Sequence, residues 1–170
     1  GTETGRVETP HKLLPKVLSW VKNDRVNKRQ PWLFGPAGSG KSTIAEQVAK
    51  ALNLPLYIYT NVQQKYEIEG FVGADGKFVE MPMYKAMLHG GIVLCDEMGT
   101  WLPEPATAFN TISANKRYTF PVVGTVEAHP DFHIIAADNT TGRGGSRKYS
   151  ARYKLDASTL DRFKFLEVPY

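Results

Sequence analysis

Short apolar runs alternate along this chain with stretches of helical periodicity. Apolar runs at 31–34, 54–59, 92–95, 132–137 and 163–168 predict five strands. Segments 10–23 and 42–52 repeat apolar residues every third or fourth position, which predicts helices with one apolar face; segments 81–89 and 104–115 are further predicted helices. Strands that alternate with helices indicate an α/β domain built on a mostly parallel central sheet.

Two stretches depart from this alternation. Residues 60–80 hold Gly70, Gly73 and Gly76 among polar and aromatic residues, so we expect a long irregular insertion, with a small hairpin as one alternative. Residues 118–126 alternate around a proline and a glycine, which predicts a β-hairpin. We interpret the polar residues 1–9 as an N-terminal arm and residues 10–170 as one domain.

The composition is typical of a globular protein that needs no membrane. Of the 170 residues, 42% are hydrophobic and 22% are charged, and no apolar stretch approaches the ~18 residues of a membrane span. The single cysteine, Cys95, excludes an internal disulfide and suits a reducing compartment, so we expect a cytoplasmic protein. Cys95 lies in an apolar run, which indicates a core residue rather than a nucleophile. A net charge of +4 permits contact with nucleic acid without requiring it.

A glycine-rich segment between the first predicted strand and the following helix has the pattern of a phosphate-binding loop. Its glycines allow successive backbone N–H groups to point at phosphate oxygens, and the positive end of the following helix faces the same group. Lys41 is predicted to reach the β- and γ-phosphates, and the Ser42 hydroxyl to ligate Mg²⁺. The candidate nucleotide-binding residues of this segment are Gly35, Pro36, Ala37, Gly38, Ser39, Gly40, Lys41, Ser42 and Thr43.

Polar residues follow two other predicted strands. Asp96 and Glu97 come directly after the apolar run 92–95, and the carboxyl ends of parallel strands are where ligands bind. Asp96 is therefore predicted to hold Mg²⁺, and Glu97 to orient or deprotonate an attacking water. Asn139 ends the run 132–137 and is predicted to contact the γ-phosphate or that water, with Asp138 as the alternative.

The chain resembles the AAA+ ATPases at this point. The likeness rests on the loop 35–42, the acidic strand end 92–97, Asn139, and the segment Leu160-Asp161-Arg162-Phe163. Within that superfamily it is similar to the MoxR and dynein-related group, and most to the ATPase subunit of cobaltochelatase. The latter likeness rests on the order and spacing of residues 137–144, Tyr149 and 160–163, and on residues 71–77 before the acidic strand end.

The resemblance implies a three-layer αβα sandwich with a five-stranded sheet in the order 5-1-4-3-2. It implies a ring, commonly a hexamer, with ATP and Mg²⁺ between subunits. Asn139 would be the sensor residue and Arg162 the arginine finger that reaches the neighbour's γ-phosphate, with Arg143 as a competing candidate. AAA+ modules also continue into a helical lid, and we expect none within residues 10–170.

Two further segments keep alternatives open. Phe71-Val72-Gly73 is similar to substrate-gripping pore loops of other AAA+ branches, and local packing is the alternative. Basic residues crowd the segment 143–154, which we interpret as a subunit interface in preference to a nucleic-acid contact because few aromatic residues are interleaved.

The sequence therefore predicts a Mg²⁺-dependent ATPase that remodels a protein partner as a ring, with Lys41, Glu97, Asn139 and Arg162 as catalytic residues. The alternatives are a DNA-acting AAA+ ATPase, a kinase built on the same phosphate loop, and a nucleotide-binding scaffold without turnover.

Overall fold

A five-stranded parallel sheet forms the centre of the molecule. The computed structural model describes residues 9–139 and 160–170. The sheet strands are β1 (Gln30–Gly35), β2 (Leu56–Thr60), β5 (Gly91–Asp96), β8 (Phe132–Asn139) and β9 (Phe163–Glu167). They lie in the order β2-β5-β8-β1-β9, and all four neighbouring pairs are parallel. Numbered as five successive sheet strands, this is the predicted order 5-1-4-3-2, so the fold prediction is confirmed.

Helices cover both faces of the sheet. They are α1 (Leu14–Lys22), α2 (Asp24–Asn27), α3 (Lys41–Leu52), α4 (Tyr66–Glu69), α5 (Pro82–His89) and α6 (Pro103–Asn115). A 3₁₀ turn at Met98–Thr100 and two small hairpins complete the described elements. One hairpin consists of β3 (Phe71–Val72) and β4 (Phe78–Val79), the other of β6 (Arg117–Phe120) and β7 (Gly124–Glu127). The hairpin predicted at 118–126 is thereby confirmed, and residues 60–80 contain the small hairpin that was one alternative.

The alternation of side chains along the strands divides the core into two layers. In β5, Ile92 and Leu94 pack with the buried residues of α1 and α3, whereas Val93 and Cys95 pack with those of α5 and α6. Because β5 is buried on both faces, its apolar run is continuous. Burial also raises the pKa of the Cys95 thiol, so the residue is an inert part of the core, as predicted.

The first helix begins later than predicted. The pattern favoured a start at Pro10, but α1 begins at Leu14, with Pro15 in its first turn, where a missing N–H costs nothing. Residues 9–11 are instead held by α3, because Gln47 accepts a hydrogen bond from the His11 N–H (2.8 Å) and donates one to the Thr9 carbonyl (3.1 Å). A long-range contact has therefore replaced the first turn of the predicted helix.

The basic segment 143–154, including Arg143, lies outside the described residues, as do most of the arm 1–9 and residues 140–159. Among the helices that the structure describes, none has the length and apolarity needed to cross a membrane.

Candidate nucleotide-binding site

The phosphate loop lies at the carboxyl end of β1 and leads directly into α3. Gly38 and Gly40 have φ angles of 83° and 98°, which residues other than glycine rarely adopt. Gly40 precedes the first residue of α3, and its carbonyl accepts the Ile44 N–H at 2.9 Å. The loop therefore has the backbone curvature that an anion cradle needs, and the helix dipole points into it.

Lys41 lies over the loop that precedes it. Its side chain is 7% exposed, and Nζ donates to the carbonyl oxygens of Gly35 (2.8 Å) and Pro36 (2.9 Å). These contacts hold the ammonium at the mouth of the loop, where a phosphate oxygen can take over a donor. The loop thus fits a nucleoside triphosphate in its backbone geometry and in the placement of its cation.

The ends of three neighbouring strands meet at this edge of the sheet. Asn139 is in register with Gly35, the first residue of the loop, and Asp96 ends the strand on the other side of β8. The Asp96 carboxylate accepts the Glu97 N–H (2.8 Å), and its carbonyl accepts the indole N–H of buried Trp101 (2.9 Å). The predicted nucleotide, water and magnesium residues are thus brought to one edge, as parallel strands require.

Glu97 has a left-handed backbone conformation, with φ 52° and ψ 44°. For a residue other than glycine this conformation costs on the order of 1 kcal/mol, so the surrounding contacts must hold it. The N–H and the hydroxyl of Thr100 both donate to the Glu97 carbonyl, each at 2.8 Å. The sharp turn redirects the chain directly after β5 and leaves the Glu97 side chain half-buried at the sheet edge.

Asp138 connects the second and third strand ends. It is 7% exposed; Oδ2 accepts the Gly99 N–H (3.2 Å) and Oδ1 accepts the Asn139 N–H (3.0 Å). These bonds tie the turn that carries Glu97 to the end of β8. Both Asp138 oxygens accept backbone N–H groups, and Asn139 is half-buried. Asn139 stays the predicted contact to a phosphate or water, with Asp138 as the alternative.

Magnesium would depend on few protein ligands. Among residues 9–139 and 160–170, no three His, Cys, Asp or Glu side chains converge on one point. Mg²⁺ in nucleotide sites is commonly held by one or two protein oxygens together with phosphates and waters. Ser42 at the start of α3 and Asp96 at the end of β5 are of the required chemistry, so the residues present fit that ion.

His11 is a site residue that the sequence did not indicate. A Cβ built on Gly40 would lie 2.9 Å from Cδ2 of its ring, so the imidazole packs directly on the loop. Because Nδ1 accepts the Leu13 N–H (3.1 Å), the ring proton is assigned to Nε2, which faces the Ser39 carbonyl at 3.3 Å. No spacing rule relates residue 11 to a loop at 35–42, so only the folded chain shows the contact.

Replacement of His11 by Ala is expected to weaken ATP binding about 3- to 10-fold, because one hydrogen bond and the packing that order the loop are lost. The turnover number should change little, since the ring is not placed among the reacting groups. Fluorescence titration with a nucleotide analogue measures the affinity. His89→Ala, at an exposed position in the last turn of α5, is the matched control. Unchanged affinity in His11→Ala would show that the loop holds its shape without this contact.

Arg162 lies at the amino-terminal ends of the parallel strands, whereas the phosphate loop lies at their carboxyl ends. Its carbonyl accepts the N–H of Gln30, the first residue of β1, at 2.7 Å, and Phe163 is in register with Gln30. Gln30 and Gly35 are the two ends of the six-residue strand β1, so they lie about 17 Å apart at ~3.3 Å per residue. Arg162 is therefore not brought together with the other predicted site residues of its own chain.

Comparison with known proteins places these features in a family. The model of the AAA domain (dynein-related subfamily) matches residues 32–163, which is more than half of the chain. An uncharacterized protein of Staphylococcus epidermidis is 30% identical over 151 residues, covering 81% of this chain and 54% of that protein. An uncharacterized protein of Staphylococcus haemolyticus is 29% identical with the same coverage, so the chain spans about half the length of these relatives.

Solved structures share the fold. NtrX from Brucella abortus superposes with a TM-score of 0.66 at 20% identity, covering 99% of this chain and 38% of that one. The same protein in complex with ATP superposes with a TM-score of 0.63 at 18% identity, covering 99% and 40%. At these identities the likeness establishes the three-layer architecture alone.

Proposed function

The chain belongs to the dynein-related subfamily of AAA domains, and we propose that it binds ATP with Mg²⁺ and hydrolyses it by in-line attack of water on the terminal phosphate. The observation that carries the proposal is the meeting of three strand ends at one edge: Gly35 with its loop, Asp96 with Glu97, and Asn139. Each supplies a different requirement of the reaction, namely a phosphate cradle, acidic groups for metal and water, and a polar contact to the phosphate.

The residues would divide the work as follows. The loop N–H groups and Lys41 bind and orient the β- and γ-phosphates, and Ser42 and Asp96 hold Mg²⁺, which when bound neutralises charge on the phosphates. Glu97 takes the proton of the attacking water, and its left-handed backbone conformation sets where the side chain leaves the end of β5. Asn139 holds the water or the γ-phosphate in line.

The location of Arg162 supports action in trans. At the far end of β1 it cannot complete the site of its own chain, whereas a head-to-tail assembly would bring that edge to a neighbour's loop. We therefore keep Arg162 as the arginine finger and a ring, commonly a hexamer, as the assembly. Arg143 remains the competing candidate.

The remaining parts of the proposal concern the whole protein. We propose a protein partner that the ring remodels, as in cobaltochelatase-type ATPases, and a cytoplasmic location that agrees with the buried free thiol of Cys95. The β3–β4 hairpin would reach that partner, since Phe71 and Val72 are 39% and 45% exposed. Local packing stays the alternative for Phe71, because its ring meets Tyr66 edge-on at 5.5 Å.

Phosphate release from ATP without any added acceptor tests the reaction itself. Release at a steady rate favours water as the acceptor, whereas release only with a second substrate would favour a kinase. Binding without release would favour a nucleotide-dependent scaffold. Affinity for DNA that falls steeply with salt would favour the DNA-acting alternative.

Mixing two inactive variants tests the trans finger. In the full-length assembly, Arg162→Ala and Lys41→Ala are each expected to lose turnover, the first by removing the finger and the second by removing the phosphate cation. Random mixing at equal amounts should restore about a quarter of the interfaces, because a quarter pair an intact loop with an intact Arg162. Steady-state ATPase rates across mixing ratios measure the rescue. Absence of rescue at every ratio would contradict action in trans.

A further inference from the structure

A cavity of about 270 Å³ lies at the amino-terminal ends of the strands, on the side of the sheet that is farthest from the phosphate loop. It is bounded by α2, by the carboxyl end of α6 and by the residue that precedes β9. Its described lining contains four basic side chains and one acidic side chain, Arg25, Lys28, Lys116, Arg162 and Asp24. We refer to it as the basic cavity.

The acid does not balance these cations. Asp24 is 3% exposed, and its Oδ2 lies 2.7 Å from Nδ1 of buried His133, so one oxygen is engaged away from the basic residues. Its other oxygen, Oδ1, is buried without a hydrogen-bond partner among the described residues. Arg25, Lys116 and Arg162 are half-buried and Lys28 is exposed, so like charges are held close together where solvent screens only part of their repulsion. The basic cavity is thus short of negative charge within the part of the chain that the structure describes.

The environment of Lys116 disfavours the charged form of its amine, chiefly because the side chain is largely removed from water. Burial lowers the pKa of Lys116 to about 8, and repulsion by Arg25 and Arg162 acts in the same direction against the attraction of Asp24. The folded protein therefore holds this proton less tightly than the unfolded chain does, and stability should rise as the pH increases from about 8 towards 10.5. A bound anion would reverse this shift, because it favours the charged amine.

Donors are fixed in place around the cavity. Arg25 Nη2 donates to the carbonyls of His129 (3.0 Å) and Phe132 (3.1 Å), which anchors the guanidinium. Lys116 Nζ donates to the Ser113 carbonyl at 2.6 Å. The Nε atoms of Arg25 and Arg162 are buried and have no hydrogen-bond partner among the described residues, which is uncommon for buried polar atoms.

We propose that the basic cavity binds a phosphate-class oxyanion through Arg25, Lys116 and Arg162. Planar guanidinium groups and an ammonium match the several acceptor oxygens of such an anion, which adds negative charge to a described lining that holds one acid, Asp24. The anion is either free inorganic phosphate or the terminal phosphate of a nucleotide held by a second copy of the chain. Only the second source rests on the proposed assembly; the binding site itself does not depend on hydrolysis.

The first experiment titrates inorganic phosphate into Lys41→Ala, a background in which the phosphate loop has lost its cation. Calorimetry should detect binding, and phosphate should raise both the melting temperature and, by NMR of the lysine side chain, the pKa of Lys116. In the same background Lys116→Met should bind at least ~10-fold more weakly, because a charge-assisted contact is lost. Lys22→Met, at an exposed position in the last turn of α1, is the matched control and should bind as the parent does.

Lys116→Met should also raise the melting temperature in phosphate-free buffer, by ~2–4 °C or more, because it removes a cation that burial disfavours. If Lys116 served only to stabilise the fold, Lys116→Met would lower the melting temperature instead. Phosphate that leaves both the melting temperature and the pKa of Lys116 unchanged at tens of millimolar would overturn the proposal. So would equal phosphate affinity in Lys116→Met and the control.

A second experiment separates the two sources. Lys41→Ala is mixed with Arg162→Ala that carries a non-hydrolysable ATP analogue, and association is followed by sedimentation velocity. Nucleotide-dependent association that inorganic phosphate competes away, and that Lys116→Met in the first chain removes, identifies the anion as a neighbour's nucleotide. Phosphate binding without such association identifies free phosphate. If neither phosphate binding nor nucleotide-dependent association is observed, the proposed oxyanion site is overturned. ATP binding at the phosphate loop would be unaffected by that result, so failure of this proposal is distinguishable from failure of the proposed ATPase.

Discussion

Glu97→Gln is expected to lower the rate of ATP hydrolysis by about 10²- to 10³-fold while ATP affinity stays within about 3-fold of the parent. The amide keeps the size of the side chain and cannot accept the proton of the attacking water. The contacts that shape the turn use the backbone of residue 97: its N–H donates to Asp96 and its carbonyl accepts from Thr100. The substitution should therefore leave the turn and the phosphate loop in place.

Turnover is measured by phosphate release under saturating ATP, and affinity by nucleotide titration. Glu104→Gln, an exposed acid in the first turn of α6, is the matched control and should retain the parent rate. Turnover by Glu97→Gln within a few-fold of the parent would exclude Glu97 as the base and would direct attention to the other acids at this edge. Loss of ATP affinity would instead indicate that the carboxylate takes part in holding the metal.

Gly35→Ala is expected to abolish nucleotide binding and to destabilise the fold by more than the ~1–3 kcal/mol of an ordinary overpacked site. A Cβ at this position would lie 2.1 Å from the Val168 carbonyl oxygen, a backbone atom that has little freedom to move. The Val168 N–H donates to the Phe34 carbonyl at 2.7 Å, so the segment after β9 is fastened beside the start of the loop. Relief of the clash requires the two backbones to separate, and the loop would lose its shape.

Thermal unfolding and ATP titration measure the two effects of Gly35→Ala. Gly76→Ala is the control, because Gly76 has a positive φ of 78° but nothing within 4 Å of the added atom. Gly76→Ala should lower the free energy of unfolding only through backbone strain, by about 1 kcal/mol or ~2–4 °C in melting temperature. It should not change ATP affinity. If Gly35→Ala behaved like Gly76→Ala, the close approach of Val168 would be of no consequence for the site.

The loop, the acids and the strand positions could be read from the sequence because each is a local pattern. Apolar runs at 92–95 and 132–137 identify buried strands, and the polar residues directly after them must then lie at one edge of a parallel sheet. The boundaries were less accurate where a distant contact intervened. The pattern predicts helix for residues 10–13, but Gln47 of α3 donates a hydrogen bond to the Thr9 carbonyl and accepts one from the His11 N–H, which holds this segment against α3 instead.

The sequence by itself determined which groups the candidate site contains: a glycine-rich loop with Lys41 at 35–42, acids at 96–97, and a polar strand end at Asn139. Short motifs and strand periodicity indicate which groups are present and at which ends of the strands they lie. Only the tertiary structure decided what surrounds them. It packed His11 on Gly40, engaged Asp138 with Gly99, and placed Arg162 at the far edge among Arg25 and Lys116. These contacts join residues far apart in the chain, and their geometry depends on how helices pack on the sheet, which no local pattern encodes.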